Sequence, residues 1–408
     1  MALDRRAMLR WAACGAAASG LRIALAAPEQ APARLVLVLL RGGMDGLSLV
    51  VPHGDAGYYA NRSTIALARP GQPEGVLPLD KLFGLHPAAA ALMPWWENKQ
   101  LAFVHASGSA DPSRSHFDAQ DYMETGTPGR KGTPDGWMNR LASALAPSAA
   151  NAQARRMMTV GLGPTLPRIL QGTAEAASME TGPGAAKAAA TDPRAIAAFA
   201  ALYGSTDPLG RTMQQLTTSR REMQAALASD DPKADAGALS LAALARDTHR
   251  LGRLMAADAR VRLAFVPVAG WDTHASQGAA HGLLANRFGL LAAGLDALAQ
   301  GLGDRLRETT VVVLSEFGRT VKQNGNGATD HGHGNVALLL GAGVRGGKVH
   351  GEWPGLETAS LYEGRDLAVT TDFRALLAEI LEQRFRLGDR ALASVLPEAP
   401  RQRIRAVA

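Results

Sequence analysis

The sequence predicts an α/β protein with a mostly parallel central sheet flanked by helices, and three observations carry that prediction. First, several apolar runs of strand length are continuous or nearly so rather than alternating: Arg34-Leu-Val-Leu-Val-Leu-Leu40, Leu101-Ala-Phe-Val104, Val261-Arg-Leu-Ala-Phe-Val266, Val311-Val-Val-Leu314 and Val336-Ala-Leu-Leu-Leu340. Strands covered by helices on both faces read this way. Second, a helical stretch from about His281 to Leu302 separates the third run from the fourth, which completes a β-α-β crossover. Third, the runs stop abruptly in Gly, Asp, Glu, Ser or His, and open parallel sheets keep their sites beyond the carboxyl ends of their strands.

The chain has 408 residues, 47% of them apolar and 20% charged, enough for a large core in one elaborated α/β unit. Its net charge is +6, but Arg5, Arg6, Arg10 and Arg22 against Asp4 place half of that in the first 26 residues. Aromatic residues are 5% and no Lys/Arg stripe interleaved with them remains elsewhere, which argues against nucleic acid as a partner.

Residues 1–26 read as an export signal: a basic start, the Ala-rich run from Trp11 to Leu25, and Ala24-Leu25-Ala26 as a cleavage site. Arg5-Arg6 followed by Ala-Met-Leu-Arg, with Arg22 weakening the apolar run, resembles the twin-arginine signal, whose translocase exports folded proteins. The expected location is periplasmic or secreted. The sole Cys14 lies inside this segment, too early in the apolar run for a lipoprotein site, so the mature chain would carry no disulfide. No other run approaches the roughly 18 apolar residues of a membrane span. Residues 27–408 are expected to form a single domain with an Ala-rich, helical insertion at about 172–258.

The first strand ends in Arg41-Gly42-Gly43-Met44-Asp45-Gly46, where glycines permit close approach of backbone to a ligand and Asp45 is a candidate metal ligand. Taken singly, Asp45 fits a turn or a helix cap equally well. Residues 50–61 read as a polar-aromatic loop lining a cleft. The second strand runs into Ser113-Arg114-Ser115-His116 ahead of a helix from Phe117 to Glu124. A serine there is N-cap chemistry, and a hydroxyl at a helix start is also placed to attack an anionic ester, with Arg114 pairing its oxygens. The third strand leads to Gly270-Trp271-Asp272-Thr273-His274, whose i, i+2 spacing turns a carboxylate and an imidazole the same way. The fourth delivers Ser315-Glu316-Phe317-Gly318-Arg319, and a Gly/Asn loop follows to Asp330-His331-Gly332-His333-Gly334 before the last strand. Carboxylates and imidazoles gathered at one rim of a sheet are what a hard or borderline divalent cation requires. Asp372 is placed to cap a closing helix that runs to Phe385.

Arg41-Gly-Gly-Met-Asp-Gly-Leu, Arg114-Ser-His-Phe-Asp-Ala-Gln, Gly270-Trp-Asp-Thr-His, Ser315-Glu-Phe-Gly-Arg-Thr and Asp330-His-Gly-His-Gly together resemble, over nearly the whole mature chain, the exported bacterial family catalogued as domain of unknown function 1501. That group is related to the alkaline phosphatase and sulfatase superfamily. The resemblance implies an alkaline phosphatase-like α/β fold, one or two divalent cations (Zn, Mg, Mn or Ca) and a nucleophile at a helix start. Carried over by position, Asp45, Asp272, His274, Glu316 and His331 are the expected metal ligands, and Ser115 or Ser113 the expected nucleophile. Arg114, Arg41 and Arg319 would grip substrate oxygens, and His116 or His333 would protonate the leaving group. The sequence departs from the superfamily where Phe317 follows Glu316, because a histidine stands there in the relatives; one metal, an altered geometry or an inactive descendant are the alternatives this leaves. The expected activity is hydrolysis of a phosphate or sulfate ester, small or polysaccharide-derived. The competing expectation is a non-catalytic envelope protein that keeps the fold and binds a partner or polysaccharide.

Overall fold

The computed structural model describes residues 32–146, 159–163, 166–179 and 242–408. The expected leader and most of the expected insertion lie outside those residues. In chain order the strands are β1 (Arg34–Leu40), β2 (Val50–Val51), β3 (Leu77–Pro78), β4 (Gly84–Leu85), β5 (Leu101–Gly108), β6 (Thr159–Leu162), β7 (Ala177–Met179), β8 (Leu263–Val268), β9 (Thr309–Ser315), β10 (Asn335–Gly341), β11 (Lys348–His350) and β12 (Thr371–Asp372). The helices that matter below are α1 (Gly46–Leu49), α2 (Ala56–Asn61), α3 (His116–Thr125), α4 (Trp137–Leu145), α5 (Ala242–Ala257), α6 (Leu283–Leu302), α7 (Phe373–Phe385) and α8 (Asp389–Val395).

The main sheet has the order β11-β5-β10-β9-β1-β8-β6-β7, with β12 also paired to β5. β1 lies parallel between β8 and β9, with Leu37 opposite both Phe265 and Val312. β6 is parallel to β8 and β7, and β5 to β11 and β12. β10 runs antiparallel to both of its neighbours. The fold is therefore α/β with a mostly parallel sheet.

The continuous apolar runs have their cause in the two layers that cover this sheet. Val36, Val38, Leu40, Val311 and Val313 face α5 and α6 through Leu251, Leu254, Phe288, Leu291 and Leu295. The alternate residues Leu35, Leu37, Leu39, Val312 and Leu314 face α4, α7 and α8 through Trp137, Leu141, Phe373, Leu376, Ile380 and Val395. With both faces dry, every position of Leu35–Leu40 and Val311–Leu314 is apolar, and each buried aliphatic side chain stabilises the fold by about 1.5–3 kcal/mol. No helix among the described residues is long and apolar enough to cross a membrane.

Three expectations change. Ala177–Met179, placed in the insertion from its Ala/Gly-rich surroundings, is the edge strand β7 beside β6, and its Ala177 and Met179 are buried. Tyr58, assigned to a cleft-lining loop, is fully buried on α2, where its hydroxyl accepts from the Leu67 amide. His331 and His333 stand before the amino end of an antiparallel strand, rather than beyond a parallel one. Because β10 runs backwards, its amino end reaches the same rim as the carboxyl ends of β1, β5, β8 and β9. Asp372 does cap α7, accepting from the Arg374 amide.

Candidate metal centre

Four segments meet at that rim: the turn after β1, the loop that starts α3, the loop after β8, and the crossing of the β9 exit with the segment before β10. The glycines are there because the backbones touch. Gly42 has φ +122°, and a Cβ on it would stand 2.5 Å from the Asp272 amide nitrogen. On Gly318 a Cβ would stand 1.8 Å from the Gly334 carbonyl oxygen. Asn335 closes the crossing by donating to the carbonyls of Met44 (2.9 Å) and Phe317 (2.8 Å).

Within this frame the Nε2 atoms of His116 and His274 each lie 3.1 Å from Nε2 of His331. Asp272 Oδ1 is 2.8 Å from His274 Nε2 and 3.1 Å from His331 Nε2, and Oδ2 is 3.4 Å from His116 Nε2. His116, Asp272 and His331 form the compact set, with one donor atom from each within 4.8 Å of the others. His274 joins it through Asp272 and His331. These separations are close to the roughly 3.3 Å edge of a tetrahedron of nitrogen and oxygen ligands about 2.0–2.1 Å from a central zinc.

The other ring nitrogen of each histidine already has an acceptor. His116 Nδ1 donates to Glu316 Oε1 (2.8 Å), His274 Nδ1 to Asp330 Oδ1 (3.0 Å), and His331 Nδ1 to the Arg114 carbonyl (2.9 Å). With Nδ1 protonated, a neutral imidazole keeps a lone pair on Nε2. Three such lone pairs facing one another beside a carboxylate repel unless a cation or protons lie among them. A carboxylate or carbonyl behind each ligating imidazole is also the arrangement that fixes histidine ligands around metals.

Electrostatics follow the same geometry. Partial burial pushes the Asp272 carboxyl up, but the hydrogen bond from Arg319 and the close contact with His331 outweigh it and hold its pKa down at about 2. Burial likewise opposes ionisation of Glu316, yet His116, Gln120 and the Gly42 amide keep it below the usual carboxylate range. The hydrogen bond to Glu316 in turn raises His116.

Several expected site residues are placed elsewhere. Asp45 does not face the imidazoles: it is buried, and its oxygens are taken by Arg62 (2.7 and 3.0 Å), Ser48 (2.8 Å) and Gln277 (3.0 Å). Glu316 stands behind His116 rather than beside it, with both oxygens engaged by Gly42, Gln120, His116 and Ser315. Arg319 is buried and donates to the carbonyls of Gly42, Gly43, Trp271, Thr273 and Thr329 and to Asp272 (2.7 Å), so it knots the loops together and presents nothing to a substrate. Arg41 pairs with the buried Glu124. His333 packs against the Tyr362 ring at 4.5 Å with the planes tilted by 33°, and burial pushes its pKa down. Ser115 caps α3 through a long 3.5 Å bond from the Asp118 amide, and Ser113 accepts from the Ser115 amide. His116, expected as an acid, is instead part of the converging set.

Asp330 and Gln120 stand within the motifs of the sequence but carry no assigned role there, although each leaves a trace. Asp330 directly precedes His331, and Gln120 lies one helical turn from His116. Arg62, Arg365 and Asp366 carry no such signal.

Fold and site together define an α/β protein with a candidate cation centre of three imidazoles and one carboxylate at the rim of its sheet. The chain belongs to the family described as Protein of unknown function (DUF1501), whose model matches residues 86–396 and so spans every residue of the converging set. No curated protein matches the sequence. Among solved structures it is similar to Ps i-CgsB in complex with k-i-k-neocarrahexaose, at 12% identity and TM-score 0.37 over 79% of this chain and 69% of that one. It is also similar to the C-terminal periplasmic domain of EcEptC from Escherichia coli in complex with Zn, at 10% identity and TM-score 0.35 over 76% and 73%. A protein in the alkaline phosphatase superfamily from Vibrio parahaemolyticus matches at 12% identity and TM-score 0.33 over 78% and 62%. Likenesses this distant leave the chemistry to be read from the site's own residues.

Proposed function

We propose that the protein is an exported metal-dependent hydrolase of an anionic ester, a phosphate or a sulfate. The observation that carries this reading is the convergence of the three Nε2 atoms on Asp272, each imidazole backed at Nδ1 by an acceptor. The donor set of three imidazoles and one carboxylate fits zinc or a similar borderline cation better than magnesium or calcium, which take oxygen ligands. His116, Asp272, His274 and His331 would hold the ion. When bound, such a cation supplies a Lewis acid that acidifies water and stabilises negative charge developing on an ester oxygen.

The chain's own residues prepare the site around it. Glu316, Asp330 and the Arg114 carbonyl fix the imidazole tautomers, and Arg319 holds the Asp272 carboxylate in place. The Arg114 guanidinium is placed to bind non-bridging oxygens of the substrate. The Ser115 hydroxyl, exposed at the start of α3 next to His116, is the side chain assigned to attack. The twin-arginine-type leader in the sequence supports export, and folding before translocation fits a protein that acquires its ion inside the cell. A second reading, a binding protein that keeps the ion without turnover, draws on Phe317 and on the sealed positions of Asp45 and Arg319, which leave one cation centre rather than two among the described residues.

The test is metal analysis of the protein purified from its export compartment, with assays on aryl phosphate, phosphodiester and aryl sulfate substrates. Stoichiometric metal and turnover that both vanish in His331→Ala support the hydrolase. Metal without turnover on any ester moves the protein to the binding class, and turnover unaffected by His331→Ala removes the proposal.

A further inference from the structure

Arg114 is not alone at its edge of the centre. Its Nε and Nη2 donate to Oδ2 of Asp366 (3.2 and 2.7 Å), a carboxylate with no exposed surface. Arg365 shares that carboxylate through Nε to Oδ1 and Nη2 to Oδ2 (3.0 Å each), and its Nη2 also donates to the His331 carbonyl (2.9 Å). One buried anion thus seats two guanidiniums, and both arginines are bonded to His331, Arg365 through its guanidinium and Arg114 through its backbone carbonyl. Neither Nη1 has a hydrogen-bond partner among the described residues, so each arginine keeps a donor edge to spare. The free charge on this seat is met by the Glu363 carboxylate, 2.6 Å from Arg114 Nη2 and itself about half exposed.

Glu363 reaches that position from a tight hairpin, closed by Tyr362 N to Asp366 O (2.8 Å) and Arg365 N to Tyr362 O (3.1 Å). Glu363 and Gly364 both have positive φ, at 51° and 65°. A glutamate with a left-handed backbone is uncommon, because its Cβ crowds the following carbonyl. The hairpin's closing bonds hold that backbone in place beside the candidate site.

We propose that Arg114 and Arg365, seated together on Asp366, form the subsite for a substrate oxyanion, and that the Glu363 carboxylate occupies it until an anion displaces it. The proposal rests on the hydrolase reading and specifies how its substrate is held. A fork of two guanidiniums suits a tetrahedral oxyanion, to which each offers parallel N-H donors. An exposed ion pair such as Glu363 with Arg114 contributes little, so the carboxylate yields readily to an anion that binds both arginines.

Calorimetric titration of the purified full-length protein with inorganic phosphate tests this, with metal content measured on the same samples. Glu363→Gln removes the competing charge without touching the seat and is expected to tighten phosphate binding about two- to five-fold. Arg365→Gln is expected to weaken it about ten-fold or more, and Arg365→Lys to fall between, with metal content unchanged in all three. Phosphate affinity that is unchanged or weaker in Glu363→Gln, or unchanged in Arg365→Gln, overturns the subsite. A wild-type protein that holds no metal would count against the hydrolase reading alone, since the phosphate titration of the variants still decides the subsite.

Discussion

Asp45 and Asp272 begin as the same feature of the sequence, an aspartate in a glycine-containing turn just past a buried parallel strand, yet the fold gives them opposite surroundings. Asp45 meets the Arg62 guanidinium, Ser48 and Gln277, and both of its oxygens are engaged inside the protein. Asp272 is half exposed and meets imidazole nitrogens whose protons are committed elsewhere. Asp45 is spent wholly inside the protein on Arg62 and its neighbours. Asp272 accepts from the Arg319 guanidinium through Oδ1 alone, and its Oδ2 faces His116 at 3.4 Å, open to a cation that the chain does not supply. The imidazoles around the second carboxylate, rather than the aspartate, its turn or its arginine, separate a structural ion pair from a candidate ligand.

The largest expected effect breaks this contrast directly. Asp45→Ala strands a buried guanidinium and should destabilise the protein by about 3–5 kcal/mol. Asp272→Ala should cost the metal-free protein less, about 1–2 kcal/mol, because Asp272 is half exposed and Arg319 keeps its carbonyl acceptors, while abolishing metal retention. Urea unfolding and metal analysis of the two variants check this. The contrast fails if Asp45→Ala is benign to the fold, or if Asp272→Ala retains the ion.

A second difference separates the buried histidines from those of the centre. His86 and His105 are buried, and burial pushes each down to about 4. A histidine whose folded pKa lies below its unfolded value binds fewer protons when folded. The stability it contributes is therefore complete above about pH 6.5 and is lost as pH falls toward 4. By pH 5 each should have cost about 2 kcal/mol. His116 has the opposite sign, because Glu316 raises it: in the metal-free protein its protonated form stabilises the fold at low pH, and that contribution disappears as pH rises through the raised value. Urea midpoints of the metal-free protein at pH 7.5 and pH 5 should show a net loss in acid, smaller in His105→Gln. Equal midpoints at the two pH values would show that burial does not dominate these histidines.

How far the sequence reveals this arrangement depends on the kind of contact. The parallel strands are legible because burial on both faces leaves no polar position in Leu35–Leu40 or Val311–Leu314, and the α6 crossover is legible from its length and period. The direction of β10 is not legible, since an apolar run reads the same either way, and its reversal is what brings His331 to the rim. Asp272, His274 and His331 are legible as candidates because they stand in short motifs beside strand ends. The pairing of Asp45 with Arg62 is not legible, because Arg62 follows α2 with nothing in its neighbours to mark it. Nor can a pattern of residue types say that Glu316 stands behind His116 instead of beside it. The distinction is a matter of which side of one imidazole the carboxylate approaches.

That distinction gives the next prediction. If Glu316 orients His116 and raises the basicity of its Nε2 without touching the ion, Glu316→Gln should keep metal stoichiometry at saturating concentration but weaken affinity about 10- to 100-fold. Competition with a zinc chelator measures it. Loss of the site at saturating zinc would mean that Glu316 is itself a ligand, which would return it to the position first expected from the sequence.

The smallest stability effect concerns Ser115, whose two roles leave different traces. As a cap it accepts from the Asp118 amide at only 3.5 Å, so Ser115→Ala should cost about 0.5 kcal/mol, the low end of the range for N-caps. As the attacking hydroxyl of the proposed hydrolase it should take turnover with it while metal content and phosphate affinity stay at wild-type levels. Measured together, these separate the roles cleanly, because a cap worth so little cannot by itself account for lost activity in a protein that stays folded and metal-loaded. Turnover that survives Ser115→Ala would assign the attack to water and reduce the serine to the start of α3, leaving His116, one residue on, as that helix's contribution to the centre.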